Sequence, residues 1–168
     1  IAPSPEERKL LGRVWTTSSQ AFEWFSRASS DPGVNETQSA ELCRKALAED
    51  PQFVEARLFL GATLYNLGRN EEALREAKQA LSQKPDRYTA AQLYRLSASV
   101  LVWLGREDEA HQAVAEGLRL CPGQVGLLMV QGALLESRHD FQAASDCLRQ
   151  AAESDPRNPR IYALLGKM

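Results

Sequence analysis

The chain has 168 residues, 43% of them hydrophobic and 25% charged, with a formal net charge of -2. No apolar run approaches the ~18–20 residues of a membrane-spanning helix, and Lys and Arg are mixed with Asp and Glu along the whole sequence instead of gathering into a basic stripe. These features predict a soluble globular chain with no membrane insertion and no nucleic-acid partner. A chain of this length buries about two-thirds of its unfolded surface, so it needs no disulfide or metal staple.

Residues 1–17 read as an N-terminal cap or linker. The opening "IAPSPEERKL" is polar and starts on Ile, which gives no signal peptide and fits a piece of a longer polypeptide. The "LGR" at 11–13 lacks the acids and Ala that follow the same triplet later, and is read as chance. The stretch "SSQAFEWFSRASS" (18–30) predicts a helix, "DPGVNET" a turn with Asn35 or Thr37 as the next cap, and "SAELCRKALAEDP" (39–51) a second helix closed by Pro51. Together they form an irregular hairpin over 18–53. Asn35-Glu36-Thr37 is formally a glycosylation acceptor, relevant only in a secreted eukaryotic protein, for which the sequence offers no support. Cys43, Cys121 and Cys147 form no C-x-x-C pair and cannot all pair with one another, which fits reduced thiols and a cytoplasmic location, with a periplasmic or membrane-associated context through a larger chain as the alternative.

Three blocks of equal length follow: "VEARLFLGATLYNLGRNEEALREAKQALSQKP" (54–85), "AQLYRLSASVLVWLGREDEAHQAVAEGLRLCP" (91–122) and "VGLLMVQGALLESRHDFQAASDCLRQAAESDP" (125–156). In the first, Leu60, Leu64 and Leu67 recur at helical spacing and Gly61 lets a partner helix approach. Gly68 ends that helix, Asn70 is expected to cap the next, and Glu71 and Glu72 sit at its positive end. Ala73, Ala77 and Ala80 give the second helix a small face, and Pro85 stops it. "LGRNEEA" (67–73) and "LGREDEA" (104–110) therefore encode one short turn between antiparallel helices twice. The linker "DRYTAA" (86–91) holds a few residues more than the period allows, expected to lengthen the following helix or its approach loop; Arg87 and Tyr88 in it are secondary functional candidates.

These residues resemble the tetratricopeptide repeat, whose ~34-residue signature is W-x-x-L-G-x-x-Y, then A-x-x-x-F, then P. Its first half is similar to "RLFLGATL" (57–64), "YRLSASVL" (94–101), "LMVQGALL" (128–135) and "YALLGKM" (162–168). Its second half is matched by Ala73/Ala77/Pro85, Ala110/Val114/Pro122 and Ala144/Leu148/Pro156. The resemblance implies an all-α, right-handed superhelix of helical hairpins, with units 18–53, 54–90, 91–124 and 125–158 and a further repeat or capping helix starting at 159–168. The segment "TTSSQAFEWFSRAS" also resembles the start of such arrays in bacterial signalling proteins that carry kinase, cyclase or winged-helix domains.

Catalysis finds no support. His111 and His139 fall in different repeats and read as solvated; no phosphate loop, nucleophile constellation, cofactor motif or metal spacing occurs, and carboxylates such as Glu71, Glu72 and Glu76 suit a solvated helix face. The expected function is a non-enzymatic interaction scaffold that binds a protein or peptide in a concave groove lined by the first helix of each hairpin. The groove seats are Glu55, Leu58, Ala62 and Tyr65; Gln92, Arg95, Ser99, Val102 and Trp103; and Met129, Ala133 and Glu136, with Gly126 beside them. Tyr65 and Trp103 are candidate aromatic anchors, with packing against the next repeat as the alternative. The Lys/Asn/Arg set with which some tetratricopeptide proteins grip acidic chaperone tails is missing, since only Arg95 among Leu58, Ala62 and Met129 is cationic. An alternative role is a regulatory or sensory arm of a larger bacterial signalling protein. Ile161, Leu164 and Leu165 are expected to form an exposed patch that favours self-association.

Overall fold

In a computed structural model, residues 16–166 are described; the "LGR" at 11–13 lies outside them. Among the described residues there are nine α-helices and no strand: α1 (Ser19–Ser30), α2 (Glu36–Glu49), α3 (Val54–Asn66), α4 (Asn70–Ser82), α5 (Arg87–Trp103), α6 (Glu107–Leu120), α7 (Val125–Ser137), α8 (Phe141–Ser154) and α9 (Pro159–Leu165). Consecutive helices pack as α1/α2, α3/α4, α5/α6 and α7/α8, with α9 against α8. The first helices of neighbouring pairs also touch, α3 with α5 and α5 with α7, whereas no two second helices do so to that extent. The array therefore curves toward the layer of first helices.

The turns within the last three pairs are each built on a residue in the left-handed region: Gly68 (φ 73°), Gly105 (φ 69°) and His139 (φ 62°). At all three the following N–H reaches back across the turn, Arg69 to Leu64 O (2.8 Å), Arg106 to Leu101 O (2.9 Å) and Asp140 to Leu135 O (3.0 Å). This is the six-residue closure of a Schellman turn, which glycine adopts without a Cβ penalty. Capping differs from the expectation at Asn70, which is the first residue of α4; the cap position is Arg69, whose side chain makes no capping bond. Arg69 instead forks onto Glu72 (2.6 and 2.7 Å), and Arg106 repeats the fork on Glu109 (2.6 and 2.7 Å). The third turn uses an Asp140 cap on Ala143 N (3.2 Å), and Arg138 reaches back to Asp108 (3.0 Å). Asn35 caps α2 in a reciprocal box with Gln38.

Packing follows the small-residue pattern. Leu60 and Leu64 of α3 meet Ala73, Ala77 and Ala80 of α4 in one buried cluster. A Cβ added at Gly61 would stand 2.9 Å from Leu96 Cδ2, so glycine here sets how closely the next pair approaches. The additional residues of "DRYTAA" enter α5, which has 17 residues against 13 in α3 and α7 and is capped by Asp86 on Tyr88 N (3.0 Å).

Three side chains lie deeper than the sequence pattern implies. Glu76, expected on a solvated face, accepts a 2.7 Å bond from Arg57 Nη1, and Arg57 is only 6% exposed, its Nη2 donating to Pro51 O (3.0 Å). His111 is half-buried on α6 with its Nε2 shielded from solvent, whereas His139 is exposed as expected. Ile161, expected in an exposed patch, is fully buried in a cluster with Leu128, Leu148 and Ala151, because α9 lies on α8 and covers its own apolar side. Leu164 and Leu165 are half-buried there and Tyr162 is exposed.

Candidate functional site

All the groove seats lie on first helices: Glu55, Leu58, Ala62 and Tyr65 on α3, Gln92, Arg95, Ser99, Val102 and Trp103 on α5, and Met129, Ala133 and Glu136 on α7. None is fully buried; Val102, Trp103 and Ala133 are exposed and the others half-buried. The three helices that carry them lie side by side, with α5 packed on both α3 and α7.

The two aromatic candidates part ways. Trp103, at the last position of α5, is 73% exposed, so the neighbouring repeat does not cover it. Tyr65 is half-buried and packs against the main buried cluster. An aromatic this open gains little from the fold and has most of its surface available to a ligand.

Arg95 lies on α5, the helix between α3 and α7. Its stem crosses to α7, where a Cβ added at Gly126 would come within 2.4 Å of its Cδ; the missing side chain of Gly126 makes room for it. Its Nε donates to Gln92 Oε1 (3.2 Å), and Gln92 Nε2 donates to the Tyr88 hydroxyl (3.2 Å). Burial pulls the guanidinium below its usual range, with the Tyr65 phenol opposing, Arg160 adding to the effect and Tyr88 opposing. Arg160 on α9 was not anticipated. Its signal is register: counted from the closing prolines Pro51, Pro122 and Pro156, Glu55, Gly126 and Arg160 hold the same repeat position.

The polar apparatus elsewhere is structural. Along the edge where the turns lie, Arg44–Glu72, Arg106–Glu71 (4.0 Å) and Arg138–Asp108 (3.0 Å) link successive pairs. The hydrogen bond from Arg69 holds the Glu72 carboxyl below its usual range, and that from Arg106 does the same for Glu109. Among the described residues no helix is long and apolar enough to cross a membrane, and no group of three or more His, Cys, Asp or Glu side chains could hold a metal.

A family model described as tetratricopeptide repeat matches residues 37–93. A TPR repeat-containing protein of Pseudomonas aeruginosa is 32% identical over 114 residues, covering 68% of this chain. The chain belongs to the tetratricopeptide-repeat family. It spans only 19% of that relative's length. Among solved structures, a thermophilic TPR protein of Thermus thermophilus superposes with a TM-score of 0.71 at 24% identity, covering 79% of this chain and 72% of that one. YrrB, described as a TPR protein with an unusual peptide-binding site, superposes with a TM-score of 0.65 at 17% identity over 98% of this chain and 81% of its own. The tetratricopeptide array here is the all-α superhelix that this family forms.

Proposed function

We propose that this tetratricopeptide array is an interaction scaffold that holds a peptide or protein segment along the face of α3, α5 and α7, with no chemistry of its own. The observation that carries this reading is Trp103, a 73% exposed indole at the end of α5 beside the exposed Val102, on a face whose other residues, Ala133 apart, are half-buried. The fold shared with a neighbour described as peptide-binding supports it. The hairpins 18–53, 54–90, 91–124 and 125–158 act as its units, and 159–168 serves as the start of a further repeat or as a capping helix.

A peptide-display selection against the full chain tests this. Selected peptides should lose about 2 kcal/mol or more of binding on Trp103→Ala and keep their affinity on Arg149→Ala, whose side chain is exposed on α8 and pairs only with Asp146. Thermal melts of both variants should stay close to wild type. A Trp103→Ala chain that melts like a core mutant and still binds every selected peptide refutes the assignment of this face.

A further inference from the structure

Two arginines in this array are withdrawn from water, and the fold treats them differently. Arg57 is compensated by Glu76 at 2.7 Å and by Pro51 O. Arg95 is half-buried on the binding face, yet its one hydrogen bond is to the neutral Gln92, and no carboxylate among the described residues lies within ion-pair distance. Taking a guanidinium out of water without an anionic partner costs free energy that a ligand carboxylate can return. Arg160 on α9 adds a second positive charge close enough to disfavour the first. The centre of the face is thus positive and under-compensated.

We propose that Arg95 is the seat for an internal Asp or Glu side chain of an extended peptide lying across α3, α5 and α7; this rests on the peptide-holding function above. The Nη groups of Arg95 remain as donors toward the ligand, because only Nε is taken by Gln92. Two N–H groups in one plane match the two oxygens of a carboxylate. The Tyr88 hydroxyl already accepts from Gln92 Nε2, so its own proton is free to donate to a carboxylate. At the repeat positions equivalent to Arg95 the chain places Leu58 and Met129, with Ala62 and Ala133 one turn on, so the acid should be flanked by apolar or small residues. Gly126 completes the seat by leaving the space that the Arg95 stem fills.

The test uses acetylated and amidated nonapeptide pools, which carry no terminal carboxylate, with Glu, Gln, Lys or phosphoserine fixed at the centre and the other positions degenerate. The immobilised full chain should retain the Glu pool about tenfold over the Gln pool and exclude the Lys pool. Arg95→Gln should hold the Glu and Gln pools equally, with the Gln pool unchanged. Gly126→Ala should weaken the Glu preference by displacing the arginine stem, with circular dichroism and melts confirming that both variants are folded. Equal retention of Glu and Gln pools by the wild type, persistence of the preference in Arg95→Gln, or a phosphoserine pool held well above the Glu pool would each overturn the carboxylate seat while leaving peptide binding intact. Retention of none of the pools would instead overturn the peptide-holding function, and the seat with it.

Discussion

Replacing Glu76 by Leu should destabilise the array by about 3 kcal/mol, near the low end of what breaking a buried ion pair costs. The low end applies because the Glu76 side chain keeps 24% of its exposure, so water can enter the vacated site, while that of Arg57 keeps 7%. The variant leaves the guanidinium with Pro51 O as its remaining strong acceptor, at 3.0 Å. For a chain of this size each kcal/mol moves the melting temperature by about 2–4 °C, so a fall of about 6–12 °C is expected by far-UV circular dichroism. The double variant Arg57→Leu/Glu76→Leu removes both charges and should recover to within about 1 kcal/mol of wild type, since an apolar pair can replace a buried ion pair at little cost. With Arg57→Leu as the second single variant, the cycle should give a coupling of at least about 2 kcal/mol. A Glu76→Leu chain that melts with the wild type, or a double variant no more stable than the single one, would show that the pair is not the buried interaction described.

Two further outcomes follow from the turns and the core. His139→Gly should raise stability by about 0.5–1 kcal/mol in urea unfolding, because it removes a side chain from a left-handed residue; an unchanged midpoint would mean that the turn bears no strain. The Cys43 thiol, pushed up to about 12 by burial, should resist Ellman's reagent at pH 8 until the chain is unfolded; native-state modification as fast as in urea would contradict its burial.

The hairpin architecture was legible because it is local. Leu60 and Leu64, the Ala73/Ala77/Ala80 face and the glycines of two turns each state their role within a few residues of chain. The third turn was harder to read: His139 stands where Gly68 and Gly105 stand, and only the backbone shows that it adopts the same conformation. Asn70 looked like a cap because its residue type caps well, yet the fork of Arg69 on Glu72 organises that helix start instead. Arg57 sits where the family signature has Trp, and nothing in the sequence ties it to Glu76 on the partner helix; that pairing depends on how two helices face each other. The proximity of Arg160 to Arg95 leaves no local mark for the same reason, since it spans two hairpins. Trp103 was legible as a large aromatic on a first helix, but its exposure, on which its proposed role as an anchor depends, is a tertiary property.

The longer α5 bears on how a ligand finds its place. Identical repeats offer an extended peptide several equivalent alignments, one repeat apart, and such a ligand slides among them. Here the four additional residues of α5 extend it by about 6 Å beyond its neighbours, and they bring Tyr88 to the edge of the face, 55% exposed. A peptide displaced by one hairpin would leave this projecting turn and meet Leu58 or Met129 in place of Arg95. If the array holds a peptide as proposed, the lengthened helix turns a periodic surface into a directional ruler with a single zero mark.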